Sequence, residues 1–168
     1  VAATTGMGAG MAVEASNGAG RAQARHGSAL DVHAHAMPLP LLSRLADRSL
    51  ADLDGVPDGI VRLDPGVSGV GPWAPLPLAR SQYDVAVRLS EMDGEGVDRH
   101  AVSLPPFLFA STSDDAQFVS DVVRPGNDEL AVYVADAPDR LLGLGSVPLG
   151  FPDAAEEARR CLNELGLA

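Results

Sequence analysis

The sequence contains no lysine. Its twelve basic residues are all arginine, set against 23 acidic residues, for a formal net charge of −11. An excess of that size repels phosphate backbones and anionic headgroups, which excludes nucleic acid and membrane surfaces as partners. Only Glu14, Arg21 and Arg25 carry charge before Ala29, so the acidity belongs to the remainder of the chain. Cysteine is nearly absent as well. Cys161 stands alone, which rules out an intrachain disulfide and a cysteine-built zinc cluster. No stretch reaches about 18 consecutive apolar residues, so no transmembrane helix is expected. What remains is a soluble, acidic, globular protein of the cytoplasm. Its 168 residues are enough for one domain with a real core.

Residues 1–28 also lack something: apolar periodicity. Gly, Ala, Ser and Thr dominate, and such a segment buries too little surface to offset its ordering entropy. A disordered leader is expected there, with His26 incidental within it. Arg21 and Arg25 come late, and no run of large apolar residues follows them, so the leader does not read as a secretory signal.

From Ala29 the pattern becomes regular. Residues 29–36 read as a short strand closed by Met37 and Pro38. Leu42, Leu45, Leu50 and Leu53 suggest a helix over 41–53. Residues 54–80 are rich in Gly and Pro and read as an irregular excursion, with Val61 and Leu63 as a weak strand. Ser81 is placed to cap a helix carrying Val85, Leu89 and Met92 on one face, stopped by Gly94 and Gly96. A strand follows at 98–104. The next helix runs over about 114–123 and is expected to break at Pro125-Gly126. A second begins at Asn127, carrying Leu130, Ala131 and Val134 inward. Residues 141–149 form a nearly continuous apolar run, as in a strand buried on both faces. Residues 153–165 form a last helix, with Ala154, Ala158, Cys161, Leu162 and Leu165 inward and Cys161 an inert core thiol.

Strand and helix thus alternate, which gives an α/β fold with a parallel sheet. Either an open doubly wound sheet or part of a (β/α)8 barrel fits. A nucleotide-binding version is disfavoured, because no G-x-G-x-x-G follows the first strand and no G-x-x-x-x-G-K occurs.

His33 and His35 stand two apart at the end of the first strand. Side chains at i and i+2 share a face, so both imidazoles can reach one metal ion. Neutral imidazole suits zinc and similar divalent ions, and ligands gather at the carboxyl ends of parallel strands. The plain alternative is two polar residues in a strand-to-loop turn. His100 lies early in the second strand, at the opposite end, and reads as structural.

The stretch Leu30-Asp31-Val32-His33-Ala34-His35-Ala36-Met37-Pro38 resembles the first strand of the amidohydrolase superfamily. Arg88-Leu89-Ser90-Glu91-Met92-Asp93-Gly94-Glu95-Gly96-Val97-Asp98 resembles a segment of its aminocarboxymuconate-semialdehyde decarboxylase-like branch. Ser103-Leu104-Pro105-Pro106, Asn127-Asp128-Glu129-Leu130, Pro138-Asp139-Arg140-Leu141 and Val147-Pro148-Leu149 extend the likeness over residues 29–168, apart from 54–80. The resemblance implies a metal-dependent (β/α)8 TIM barrel with a divalent ion, usually zinc, at its mouth. It assigns His33 and His35 as ligands and a small carboxylated, aromatic-derived compound as substrate. Members are decarboxylases, hydratases or hydrolases.

Such a barrel takes about 250 residues, and about three β/α units are present here. The chain therefore reads as the N-terminal portion of the barrel, with an irregular excursion at 39–80. The family's later histidine and aspartate ligands have no counterpart, nor does its water-assisting histidine. The catalytic residues are expected outside this chain, which alone is expected to bind metal weakly and not to turn over. The unfinished edge points to a homo-oligomer or aggregation. Arg62 and Arg80 are candidates to hold the substrate carboxylate, in place of an arginine that 74–78 lacks. Phe107 and Phe109 are candidates to line the pocket. A carboxy-lyase is the leading reading. A metal-dependent hydrolase of an ester, lactone or amide is the second, and a truncated non-catalytic product the third.

Overall fold

A computed structural model of the chain describes residues 28–168. The leader, apart from Ser28, lies outside the described residues, as does His26. Strand β1 spans Leu30–His35. Helix α1 follows at Leu39–Asp47, with Pro40 in its first turn, where a missing N–H costs nothing. It buries Leu41, Leu42 and Leu45. It ends earlier than the leucine spacing suggests, because Ser49 turns to φ 58° and the next residues enter a strand.

That strand begins the main departure from expectation. Residues 54–80 are ordered around a second sheet. β2 (Ala51–Asp52) pairs antiparallel with β3 (Ile60–Leu63). A short helix α2 (Pro65–Ser68) is capped by Asp64, whose Oδ1 accepts from the Gly66 N–H at 2.8 Å. β4 (Pro75–Pro77) then adds to β3. Prolines are tolerated in β4 because it is an edge strand. Val61 and Leu63 point one way into the core, which anchors the sheet.

Helix α3 spans Val85–Glu95 and is capped by Asp84, whose carboxylate accepts from the Val87 N–H at 3.2 Å. Ser81 sits instead in a preceding 3-10 turn. Gly94 lies inside the helix, and Gly96, at φ 71°, ends it. β5 (Arg99–Ser103) pairs parallel with β1. Helix α4 runs unbroken from Ala116 to Ala135, through Pro125-Gly126. Proline inside a helix costs about 3 kcal/mol, in part by leaving a carbonyl four residues back without its donor. Here that carbonyl is Asp121, and Arg48 Nη1 reaches it at 3.5 Å. Gly126 removes a side chain where a Cβ would lie 2.6 Å from Leu104 Cδ1, so the helix can press onto the end of β5.

β6 is shorter than its apolar run, Leu141–Leu144, and completes a parallel sheet of order β1-β5-β6. A Cβ on Gly143 would lie 2.3 Å from Leu167 Cδ2 and 3.2 Å from Val134 Cγ2. The Ala168 N–H donates to the Gly143 carbonyl at 2.8 Å, and its own carbonyl accepts from the Gly145 N–H at 2.9 Å. This contact covers part of the β6 edge that was expected to stay open. Helix α5 (Ala154–Arg160) continues as a π turn through Leu165. The wider turn shifts the buried face. Cys161 stays buried as expected, while Leu162 faces solvent and Glu157 faces inward. Within the described residues the sheets do not close into a barrel.

Candidate metal centre

His33 and His35 sit at the carboxyl end of β1, and the structure brings their rings together. The centroids are 5.0 Å apart and the planes meet at 76°. Two imidazoles bound to one ion at about 2.1 Å, near a tetrahedral angle, have centroids about 5 Å apart. The separation of the rings matches that of two imidazoles on a single divalent ion.

Each histidine is held in its own way. His35 Nδ1 lies 3.1 Å from Ser103 Oγ, at the matching end of β5. The tautomer that donates Nδ1–H to Ser103 leaves the Nε2 lone pair for a metal, the usual arrangement around a ligating imidazole. Burial first, and the neighbouring His33 second, hold the His35 imidazole below the ordinary histidine value. It is thus kept in the neutral form that ligates.

His33 is exposed and lies at an irregularity in β1. Asp31 is level with His100 and Ala34 with Val102, so three steps on β1 match two on β5. One residue is extra, which is a bulge. The His33 N–H donates to Asp31 Oδ1 at 2.9 Å. Asp31 Oδ2 in turn lies 3.7 Å from His100 Nε2. His100 thus faces Asp31 on one side and Arg88 on the other. Burial first, then the Arg88 charge, hold its imidazole below the ordinary value.

Among the described residues no group of three His, Cys, Asp or Glu side chains could hold an ion. The two histidines would supply two ligands, and a catalytic zinc usually takes three from protein.

The other candidates are dispersed. Arg62, on β3, lies 4.0 Å from Asp52. Arg80 pairs with Asp84 at 3.1 Å on the turn before α3. Among the described residues no hydrogen bond or ion pair joins either to the histidines. Phe107 lies in a 3-10 turn after β5 and packs partly buried against the core. Phe109 lines a cavity of about 220 Å³ with Ala110, Val147, Pro148 and Phe151, from the loops after β5 and β6.

Two buried residues escaped sequence reasoning, one beside the histidines and one under the loop after β6. Arg88 is 4% exposed on α3, and its guanidinium donates to the His35 carbonyl. Asn127 was expected to cap a helix. Instead it lies fully buried inside α4, where its amide clamps the loop after β6. Its Nδ2 donates to the Ser146 carbonyl and its Oδ1 accepts from the Ser146 N–H, both at 2.8 Å. Nδ2 also donates to Glu157 Oε1 at 2.7 Å. Nothing in the sequence marks a buried Arg or Glu on a helix, since both types are ordinarily solvated.

An amidohydrolase family model matches residues 30–168. The chain belongs to the amidohydrolase family. The 2-amino-3-carboxymuconate-6-semialdehyde decarboxylase of Dictyostelium discoideum is 35% identical over 86 residues, covering 51% of this chain and 24% of the relative. The gamma-resorcylate decarboxylase of Rhizobium sp. (strain MTP-10005) is 39% identical over 80 residues, 47% of this chain and 24% of the relative. The amidohydrolase chain thus aligns with about a quarter of each of these relatives. Among solved structures, the dihydroxybenzoic acid decarboxylase of Polaromonas sp. JS666 superposes with a TM-score of 0.52 at 25% identity. The superposition covers 84% of this amidohydrolase chain and 36% of that enzyme, which carries bound manganese and the inhibitor 2-nitroresorcinol. These relatives are decarboxylases of the decarboxylase-like branch that the motifs indicated.

Proposed function

We propose that this chain supplies the first strands and two metal ligands of a carboxy-lyase acting on a small, aromatic-derived carboxylate. The observation that carries the reading is the convergence of His33 and His35 at the carboxyl end of β1, in a family whose matched relatives are decarboxylases. When bound, a divalent ion supplies Lewis-acid chemistry at a substrate oxygen. Zinc suits an imidazole pair, and manganese occupies the Polaromonas relative. His33 and His35 hold the ion, and Ser103 fixes the ring of His35. The Phe109 cavity offers apolar surface to an aromatic ring. Arg62 and Arg80, each beside an aspartate, are the cations on offer to a substrate carboxylate. The acidic surface and single cysteine suit a cytoplasmic enzyme with a small-molecule partner.

The hydrolase reading uses the same histidines, and the decarboxylase relatives favour the lyase. The test has two arms. Zinc or manganese binding to the chain is expected to be weak and to disappear in the H33N/H35N variant; unchanged uptake by that variant would overturn the ligand assignment. The complete barrel to which this segment contributes, loaded with either ion, is assayed for CO2 release from 2,6-dihydroxybenzoate and for hydrolysis of a nitrophenyl ester. Hydrolysis without CO2 release would overturn the lyase reading.

A further inference from the structure

Arg88 is a buried cation that has no carboxylate partner among the described residues. Its Nε donates to Tyr133 Oη at 2.7 Å and to the Ser81 carbonyl at 3.0 Å. Nη1 lies 3.1 Å from His100 Nδ1, and Nη2 donates to the His35 carbonyl. The guanidinium carbon stands 5.6 Å from the centre of the Tyr133 ring. Every partner is a neutral acceptor. Burying a cation without an anion is costly, and an apolar side chain would fill the same space without that cost. What only an arginine supplies is a planar fork that spans several acceptors at once. Here the fork joins helix α3, the turn at Ser81, strand β5 and the metal end of β1.

The fork touches His35 directly and His33 only at a remove, across a His100–Asp31 separation of 3.7 Å that is longer than a hydrogen bond. At His35 it holds the main chain directly, while Ser103 holds the ring. At His33 the link runs through His100 and Asp31. His100 Nδ1 accepts from Arg88, its Nε2 faces Asp31, and Asp31 accepts from the His33 N–H. We propose that Arg88 is a positioning residue for the His33–His35 pair, fixing the carbonyl of His35 and, through His100 and Asp31, the bulge that carries His33. Groups behind a metal ligand typically change metal affinity by about 10- to 100-fold when removed.

The proposal rests on reading the histidines as ligands, so the test carries one readout that needs no metal. The first readout is the set of 15N and 1H shifts of the His35 ring and the Ala36 amide in the metal-free chain. The second is affinity for Co2+, followed by its visible absorption. R88M is expected to move both His35 and Ala36 signals and to weaken Co2+ binding at least about tenfold. Y133F removes a partner on the far side of the guanidinium. It is expected to lower the melting temperature and leave both site readouts near wild type. If R88M does not fold, R88K takes its place, since one ammonium cannot span the same acceptors. Shifts and affinity unchanged in a folded Arg88 variant would overturn the proposal. So would losses of Co2+ affinity in Y133F as large as in the Arg88 variant. If the wild-type chain takes up no Co2+, the ligand reading fails, and the metal-free shifts still decide the role of Arg88.

Discussion

Glu157→Ala tests a buried charge cluster. Glu157 has no solvent exposure. It accepts from Asn127 Nδ2 at 2.7 Å, from Arg160 Nε and Nη2 at 2.8 and 2.7 Å, and lies 3.2 Å from Arg124 Nη1. Burial opposes its charge, yet these donors hold its carboxyl below the usual range. Removing one member of a buried pair costs about 3–5 kcal/mol, mostly by leaving the other charge uncompensated. The side chains of Arg160 and Arg124 are 14% and 36% exposed. Both guanidiniums can regain water, so the lower end, about 3 kcal/mol, is expected. For a chain of this size that lowers the melting temperature by about 6–12 °C. E157Q keeps an oxygen for Asn127 and loses less. The assay is a thermal melt by circular dichroism, repeated at about 1 M salt, where exposed ion pairs are screened. The deficit should persist there. A melting temperature within about 2 °C of wild type would refute the view that this network holds α5 and the Ser146 loop onto α4.

Gly143→Ala forces a methyl against Leu167 and Val134, and overpacking of this kind costs about 1–3 kcal/mol; on an L167A background the cost should shrink, and equal costs on both backgrounds would refute the contact. The folded state holds His100 below the ordinary histidine value of 6.5, so the unfolded chain binds the proton first as pH falls, and stability is lost below about 6.5. Melts between pH 7.5 and 5.5 should show that slope, partly flattened in H100N; an unaltered slope in H100N would refute it. Among the described residues β1 is an edge strand, and its Leu30 and Val32 are 47% and 70% exposed, which favours association between chains. Size-exclusion chromatography should show mass rising with concentration, and a sharp monomer peak with a cooperative melt would count against it.

The parallel layer was legible because its signals are local and agree: short strand-like stretches at β1 and β5, an apolar run at β6, and helical spacing between them. The histidine pair was legible from strand alternation and from its place at a strand end. Other features were hidden because a distant partner overrules a local rule. Pro125-Gly126 reads as a helix break until Arg48 and Leu104 are seen to occupy what it leaves. The Gly- and Pro-rich 54–80 reads as loop although Pro75 and Pro77 fall on an edge strand, which tolerates them. Ser81 and Asp84 are both good caps, and only backbone geometry separates them. Arg88, Asn127 and Glu157 look like surface residues because each also depends on a partner 19 to 53 positions away.

The bulge in β1 makes the centre depend on the length of the strand as much as on its side chains. In an unbroken strand, residues four apart share a face. Asp31 and His35 are four apart, yet Asp31 meets His100 while His35 meets Ser103, three positions further along β5 and on its opposite face. Straightening the strand at its present length would turn Asp31 away from His100 or His35 away from Ser103, because four steps on β1 cannot match three on β5 in unbroken register. Removing Val32 would leave three steps against three, and a regular strand could then keep both contacts. What the bulge absorbs is length, so a one-residue insertion beside it, rather than a deletion, is the change expected to part the two contacts.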